Sequence, residues 1–147
     1  MQFIPCLNFD GNCAEAMAFY AQLFGGQVAH QMTFGEMPAG ENMPAMPEAA
    51  KNRIMHAHLQ IGAQALMASD ALPSTPGAAD NCGGGYVKPQ GLWVSIAVDS
   101  AAEGQRVFDA LAQGGKLAMP YAATFWSPGF GRLTDRFGTP WMLNTQA

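Results

Sequence analysis

The alternation of apolar and polar residues predicts a first helix that follows directly on an extended run. The run at residues 7–10 ends at Asp10, and Asn12 then takes the N-cap position, with Glu15 three residues later as in a capping box. The helix ends at the pair Gly25-Gly26, because glycine commonly terminates helices. Its buried stripe consists of apolar residues at helical spacing, namely Ala16, Tyr20, Leu23 and Phe24.

A second helix repeats this order of elements in the later half of the chain. An extended run that closes on an aspartate again precedes the helix, Ser100 and Glu103 form a capping box, and Gly114-Gly115 follows the last turn. One offset of 89 residues relates Phe19 to Phe108 and the first Gly-Gly pair to the second. Self-similarity at a fixed spacing indicates an internal duplication.

Strands are predicted where apolar and polar residues alternate, and the clearest is at residues 53–61. One face of this strand is assigned Ile54, His56, His58 and Gln60, and the other Met55, Ala57, Leu59 and Ile61. Further strands are predicted at residues 27–34, 66–69, 116–119, 123–126, 132–134 and 141–144.

A strand, a helix and three more strands, twice over, predict an α+β fold of two tandem βαβββ modules. The first module takes residues 1–70 and the second residues 91–147, within one compact domain. Residues 71–90 contain prolines and a run of glycines, which indicates a linker. We expect each helix to cover one face of its sheet and the other face to line a cavity.

The composition favours a well-buried protein that binds neither nucleic acid nor membranes. Hydrophobic residues make up 49% of the chain and charged residues 12%, against about a quarter charged in typical soluble domains. So much apolar surface indicates a subunit interface, and we expect a homodimer. The net charge of −4 argues against nucleic acid and anionic membranes as partners, and no apolar stretch approaches the ~18 residues of a membrane span.

Three cysteines, Cys6, Cys13 and Cys82, form no CxxC pair, which fits reduced thiols in the cytoplasm better than a disulfide framework. The chain starts with a strand-like run and no signal-peptide pattern, so we expect a cytoplasmic protein. Cys13 is either a reactive thiol, because a helix N-terminus lowers a thiol pKa, or an inert buried one, which is favoured.

Ordered motifs along nearly the whole chain resemble one known family. The matching stretches are residues 7–16, Phe19-Tyr20, Phe24-Gly25-Gly26, 32–38, 54–57, 66–70, 124–126 and 134–142. They resemble the PhnB-like (YjdN-like) branch of the glyoxalase/bleomycin-resistance/dioxygenase superfamily, also called the vicinal oxygen chelate superfamily. The resemblance implies paired βαβββ units that form an open, mostly antiparallel barrel around a central cavity, commonly in a homodimer.

The same branch has been labelled as similar to demethylubiquinone methyltransferases, and the sequence does little to support that label. Gly83-Gly84-Gly85 has neither the strand-then-helix context nor the following Lys-Ser/Thr of a nucleotide-binding loop. This counts against binding of S-adenosylmethionine in a Rossmann-like site.

Metal-dependent members of the superfamily place one ligand on the first and one on the last strand of each module. The resemblance puts these positions near Pro5, Ala68, Trp93 and Met142, and none of these side chains binds a hard or borderline divalent cation. We therefore predict no cofactor and no conventional metal site. A divalent metal stays possible only in a displaced site, built on His56 and His58 with His30 or Asp70.

His56 and His58 are the residues most able to carry chemistry. Their i, i+2 spacing on a strand directs both imidazoles to one face, about 7 Å apart. Three interpretations stay open: hydrogen-bonded histidines without a catalytic role, groups for ligand recognition or proton transfer, and metal ligands. If the protein is an enzyme, His56 is the predicted proton-transfer residue, with His58, Ser69 and Asp70 as supporting polar groups.

The aromatic residues of the second half are either core residues, which is favoured at any single position, or walls of a pocket, since pockets for flat or apolar ligands combine aromatic walls with few polar anchors. Phe125 and Trp126 are the predicted pocket walls, with Trp126 preferred. The sequence thus predicts a small-molecule binding protein or a metal-independent enzyme. The first alternative is a metal-dependent lyase or dioxygenase with its site at His56 and His58. The second is a sequestering protein of the bleomycin-resistance type, which binds its ligand without turnover.

Overall fold

The computed structural model describes residues 1–38, 46–73 and 85–146. Cys82 and the pair Gly83-Gly84 lie outside these ranges, and so do the predictions that concern them. No helix among the described residues is long and apolar enough to cross a membrane.

By their contacts the described residues form two compact units, Met1–Val87 and Lys88–Ala147, and the boundary falls within the predicted linker 71–90. The first unit follows the predicted order of one strand, one helix and three strands. Its elements are β1 (Cys6–Phe9), α1 (Cys13–Phe24), β2 (Gln27–Thr33), β3 (Ile54–Ile61) and β4 (Gln64–Asp70). Two short 3₁₀ helices, Phe34–Glu36 and Glu48–Ala50, lie between β2 and β3.

The second unit repeats this arrangement. Its elements are β5 (Val94–Val98), α2 (Ala101–Ala112), β6 (Lys116–Ala122), β7 (Phe130–Thr134) and β8 (Pro140–Thr145). The strand orders are equivalent, β1-β4-β3-β2 and β5-β8-β7-β6. In each sheet the first strand pairs in parallel with the last, and the other pairs are antiparallel. The predicted α+β fold of two βαβββ modules with open, mostly antiparallel sheets is confirmed.

Equivalent glycine pairs end the two helices and allow a close approach to the sheet. Gly25 and Gly114 have φ values of 66° and 72°, in the left-handed region that only glycine adopts without strain. A Cβ atom on Gly26 or Gly115 would lie 2.5 Å from a backbone carbonyl oxygen of the unit's own sheet. The duplication seen in the sequence therefore extends to the packing.

Each helix covers one face of its sheet, and the core lies between them. α1 packs against β2, β3 and β4, and α2 against all four strands of its sheet. The largest fully buried side chains include Phe9, Met17, Tyr20 and Leu59 in the first unit, and Leu111, Leu133, Trp141 and Leu143 in the second. Burial of an aliphatic or aromatic side chain contributes about 1.5–3 kcal/mol, so these residues stabilise each unit separately.

The two helices begin in different ways. Ser100 caps α2 as predicted, because its Oγ accepts a hydrogen bond from a backbone amide of the first turn at 3.2 Å. Asn12 occupies the N-cap position of α1, but its side chain makes no capping hydrogen bond. The Asp70 carboxylate accepts the hydrogen bonds of the Gly11 and Cys13 amides instead, at 2.9 and 3.0 Å. A carboxylate from the end of β4 thus replaces the local cap that the sequence predicts.

Residues 123–126, predicted as a strand, form a turn. The backbone amide of Thr124 donates to the carbonyl of Ser127 at 2.9 Å, and the amide of Ser127 donates to Thr124 Oγ1 at 3.2 Å. The buried Ser127 hydroxyl lies 2.8 Å from the carbonyl oxygens of Gly129 and Thr145, which anchors the turn to the sheet. Local bonds from serine and threonine side chains compete with strand pairing, and here they prevail.

Candidate functional site

The open face of the first sheet, opposite α1, carries His56 and His58, as strand alternation predicts. On β3, Ala57 and Leu59 are fully buried on the helix side, whereas the two histidines are half-buried. Ile54, which strict alternation assigns to the histidine face, is only 3% exposed. The register against β2 shifts at this point, so β3 contains one extra residue, and such a bulge reverses the alternation.

His30 on β2 joins the same face, so the three histidines of the chain lie together there. His30 pairs with His58 in the register of the two strands. The centroids of the His30 and His56 rings are 5.8 Å apart, with 41° between the ring planes. We call His30, His56 and His58 the histidine cluster. Alternation within β2 did not predict this position of His30, because it does not show which strand β2 pairs with.

A glutamine fixes the orientation of His58, and sequence reasoning gave that glutamine no role. Gln60 Nε2 donates to the backbone carbonyls of Gly62 and Gln64 at 2.8 and 3.0 Å, which leaves Gln60 Oε1 as an acceptor. His58 Nε2 lies 3.3 Å from that oxygen and must therefore carry the proton. His58 in its neutral form then presents Nδ1 as an acceptor. Gln60 follows the histidines at the same two-residue spacing, which was the available signal.

His56 is not restrained in this way. Its ring contacts His30, and no group within residues 1–38, 46–73 and 85–146 hydrogen-bonds to it. Both ring nitrogens are therefore available to a ligand or to solvent. A half-buried imidazole with available nitrogens suits proton transfer, because one nitrogen can accept a proton while the other donates one.

Ser69 and Asn8 add polar groups to this face. Ser69 on β4 pairs with Asn8 on β1, and Asn8 Nδ2 donates to Ser69 Oγ at 3.2 Å. Ala57 pairs with Ala68, so the next step of the same register places Ser69 opposite His56. The predicted grouping of Ser69 with the histidines therefore agrees with the register. Asn8 was missed, although it alternates with buried neighbours on β1.

Glu36 brings a negative charge to the edge of the cluster. Its carboxylate accepts hydrogen bonds from the backbone amide and the hydroxyl of Thr33, at 2.7 and 2.8 Å. These bonds, and to a smaller extent the charge of His30, lower the pKa of Glu36 below its ordinary value. Glu36 is therefore ionised at neutral pH. The Thr-x-x-Glu pattern of a capping box was the signal in the sequence.

Asp70, which the sequence grouped with the histidines, lies on the other face. It pairs with the buried Phe9 in the register of β1 and β4, whereas its neighbour Ser69 points away from the helix. Asp70 is 4% exposed, and its carboxylate accepts backbone amides at the start of α1 and of β3. The position of Asp70 at the end of a strand suggested that its charge lies in a pocket, but its carboxylate hydrogen-bonds to the backbone instead. We leave Asp70 out of the site.

The open-face residues of the first and last strands do not fit the metal that the superfamily implies. These residues are Cys6, Asn8, Met67 and Ser69 in the first unit, and Ser95, Ala97, Met142 and Asn144 in the second. Cys6 offers a thiol, which can bind zinc, but none of the others is an imidazole or a carboxylate, and the described residues contain no set of three such ligands. The donor chemistry thus disagrees with a conventional metal centre, and we derive no step through one.

The positions suggested by the resemblance divide between the two sheet faces. Ala68 is fully buried on the helix side, whereas Met142 lies on the open face of the second sheet. For a displaced site, no group of three or more His, Cys, Asp or Glu side chains within the described ranges is placed to hold a metal ion. The histidine cluster therefore does not form a three-ligand set.

The predicted pocket walls, Phe125 and Trp126, belong to the second unit. They occupy the tip of the turn at residues 124–127 and are 97% and 50% exposed. Their ring centroids are 4.5 Å apart and nearly perpendicular. The ring of Trp126 also packs against that of Phe130 on β7, with the centroids 5.5 Å apart. The three rings form an exposed aromatic group on a turn that hydrogen bonds hold in place.

Cys13 is buried in the first turn of α1, as the favoured interpretation predicts. Burial, then the charge of Asp70 and the neighbouring Cys6, raise the pKa of Cys13 to about 12. The helix N-terminus does not activate this thiol, because Asp70 accepts the hydrogen bond of its backbone amide. Cys6 is exposed, and partial burial of its thiol raises the pKa of Cys6 as well.

Comparison with known proteins agrees with this architecture. Residues 1–144 match the model of a family described as 3-demethylubiquinone-9 3-methyltransferase. Protein YjdN of Escherichia coli (strain K12) is 37% identical over 149 residues, which cover 98% of this chain and 95% of YjdN.

Two solved structures extend the comparison. Protein PA1353 from Pseudomonas aeruginosa is 41% identical with a TM-score of 0.80, over 99% of this chain and 98% of that chain. A glyoxalase-related enzyme from Fulvimarina pelagi shares the fold at 17% identity and a TM-score of 0.58, over 99% of this chain and 89% of that chain. The glyoxalase fold and the PhnB-like resemblance are thereby confirmed.

Proposed function

Because the chain belongs to the 3-demethylubiquinone-9 3-methyltransferase family, the PhnB-like and YjdN-like group of glyoxalase-type proteins, we propose that it acts on small organic molecules. It is a small-molecule binding protein or a metal-independent enzyme that uses the histidine cluster. Methyl transfer is not part of the proposal, because the sequence has no strand-then-helix nucleotide-binding motif.

The observation that carries the proposal is the difference between His56 and His58. Gln60 orients His58, whereas His56 has no hydrogen-bond partner among the described residues. One histidine thus serves as a fixed recognition group and the other as the group that exchanges a proton with the ligand. Ser69 opposite His56 supplies a hydroxyl for orientation.

A screen of small organic metabolites by thermal shift identifies a ligand, since a compound that binds only the folded protein raises Tm. The best compound is then titrated against wild type, His56→Ala and, as a control, Gln31→Ala on the opposite face of β2. Loss of a ligand hydrogen bond weakens binding about tenfold in His56→Ala, and Gln31→Ala binds as wild type does. Equal affinity in His56→Ala would refute the site.

The same variants separate turnover from sequestration. Product formation that disappears in His56→Ala identifies an enzyme and rejects the sequestering protein of the bleomycin-resistance type. Weaker binding in His56→Ala with no product from any bound compound identifies the sequestering protein. The metal-dependent lyase or dioxygenase requires stoichiometric Zn, Ni, Mn or Fe in the purified protein, which elemental analysis measures.

A homodimer in the cytoplasm completes the proposal. Exposed large apolar side chains support the dimer, among them Phe3, Val87, Leu92 and Leu117. Cysteines without a CxxC spacing support a reducing compartment. Light scattering of the purified protein measures the mass, and a monomer would remove the dimer from the proposal.

A further inference from the structure

The open face of the second sheet, opposite α2, carries an arginine beside aromatic rings. Gly131 on β7 faces the helix, because a Cβ atom there would lie 2.7 Å from the ring of Phe108. Phe130 and Arg132, on either side of Gly131, therefore point away from α2. In the register of β7 and β8, Phe130 pairs with Asn144, which lies on the same face.

The guanidinium of Arg132 has no acidic partner within the described residues. Its central carbon lies 5.3 Å from the centroid of the Trp93 ring, a cation–π distance. Arg132 Nε is buried and has no hydrogen-bond partner in the part of the chain that the structure describes. The guanidinium thus gives this face a positive charge, while its unpaired Nε lies beneath the surface.

Aromatic side chains lie beside this cation. Phe130 is two residues from Arg132 on the same strand face, about 7 Å along the chain. Trp126 packs edge-on against Phe130, with the ring centroids 5.5 Å apart and the planes at 69°. The turn at residues 124–127, which carries Trp126, is hydrogen-bonded to the sheet. This arrangement combines a charge with an apolar wall.

We propose that the open face of the second sheet binds an aromatic carboxylate. The planar carboxylate accepts hydrogen bonds from the Arg132 guanidinium, whose fork of donors matches it in shape. The aromatic ring packs against Trp126 and Phe130, since aromatic pairs gain from edge and offset contacts. The Asn144 amide offers a hydrogen bond to a polar substituent on the ring.

Charge complementarity selects this occupant over a neutral apolar molecule. A neutral ring would satisfy the aromatic wall but leave the guanidinium without an acceptor, which is costly for a charged group. The proposal goes beyond the proposed function, because it concerns the other unit and uses none of the histidines. Its failure and the failure of the histidine site are therefore distinguishable by separate variants.

The test uses 2-naphthoate as the probe, titrated calorimetrically into the full-length protein. 2-Naphthamide has the same ring without the charge, and cyclohexanecarboxylate has the charge without the aromatic ring. The variants are Arg132→Gln, Arg132→Lys and Trp126→Leu. Arg136→Gln is the matched control, because Arg136 also lies over an aromatic ring, that of Phe137, but in the turn before β8. Circular dichroism checks that each variant is folded.

We expect 2-naphthoate to bind wild type and Arg136→Gln equally, and to bind Arg132→Gln about tenfold more weakly, the loss for charged hydrogen bonds. Arg132→Lys keeps the charge without the fork and gives an intermediate affinity. The preference for 2-naphthoate over 2-naphthamide disappears in Arg132→Gln. If Arg132→Gln does not fold, Arg132→Lys and Trp126→Leu decide the test. Trp126→Leu weakens the binding of 2-naphthoate but not that of cyclohexanecarboxylate.

Three results would overturn the proposal. The first is no binding of 2-naphthoate to wild type at about millimolar concentration, where even a weak site is occupied. The second is the same affinity in wild type and in the folded Arg132 variants. The third is a change of mass in Arg132→Gln by light scattering, which would assign this face to contact between copies of the chain.

Discussion

The carboxylate of Asp70 accepts a hydrogen bond from the backbone amide of Cys13 at 3.0 Å, across 57 positions of the sequence. The same carboxylate accepts the amide of Gly11 at 2.9 Å and, through its second oxygen, the amide of Ile54 at 2.8 Å. One side chain at the end of β4 thus joins the start of α1 to the start of β3. Because all three donors are backbone groups and the side chain is buried, the interaction organises the unit.

Removal of this carboxylate destabilises the first unit. We expect Asp70→Ala to lower the free energy of unfolding by about 3 kcal/mol, because three amides lose a charged acceptor and are left unsatisfied. Asn12→Ala is the control: its side chain makes no capping bond, so the change stays within about 0.5 kcal/mol. Urea denaturation measures both values. A cost for Asn12→Ala equal to that of Asp70→Ala would contradict the assignment of the cap.

The close approach of Gly26 to the sheet makes a second prediction. A Cβ atom there would lie 2.5 Å from the carbonyl oxygen of Gln60, so Gly26→Ala forces backbone apart and costs about 3 kcal/mol or more. Gly62 is the control, since its φ of 57° is strained for alanine but nothing lies within 4 Å. Gly62→Ala costs only about 1–2 kcal/mol.

Gly115, the equivalent residue of the second unit, behaves like Gly26, because its Cβ would meet the carbonyl oxygen of Thr134 at the same distance. Thermal or urea denaturation of the three alanine variants gives the comparison. Equal costs at Gly26 and Gly62 would show that backbone conformation, rather than contact with the strand, explains the glycine pairs.

The buried thiol of Cys13 makes stability depend on alkaline pH. Burial first, and then the charges of Asp70 and Cys6, raise its pKa from 9.0 in the unfolded chain to about 12. Above pH 9 the unfolded thiol ionises while the folded one stays protonated. The contribution of this thiol to the free energy of unfolding is therefore complete below pH 9 and is lost as the pH rises towards 12. The loss is about 1.4 kcal/mol for each pH unit.

Comparison with Cys13→Ala isolates this effect from other groups that titrate at high pH. The difference in unfolding free energy between wild type and Cys13→Ala should shrink by about 1.4 kcal/mol between about pH 8 and about pH 10. Urea denaturation at the two pH values measures it. A constant difference would mean that the folded and unfolded thiols ionise alike.

The helices and strands could be predicted from the sequence because the patterns that indicate them are local. Helical spacing, the Gly-Gly pairs and the two-residue alternation of β3 act over a few residues, and the first two appear twice. The turn at residues 123–126 was wrongly predicted as a strand, because Thr, Phe and Trp are common in strands, whereas the hydroxyls of Thr124 and Ser127 determine its backbone. Ile54 escaped because a bulge depends on the partner strand.

The candidate site could be predicted only in part, because the residues that surround the two histidines come from different strands. His56 and His58 share a strand, so their common face follows from spacing alone. His30 lies beside them through the register of β2 against β3, and Asp70 faces the helix through the register of β1 against β4. The sequence did not single out Arg132, because only the structure shows that its Nε lacks a hydrogen-bond partner among the described residues.

The parallel pairing of β1 with β4 affects how the chain folds while it is being made. Asn8 leaves the ribosome 61 residues before its partner Ser69, and among the described residues no other strand borders β1 in its sheet. β1 therefore waits with unpaired backbone groups until β4 has emerged, and such exposed edges are where chaperones act. The second module repeats this order, because β5 pairs in parallel with β8, the last strand of its own unit.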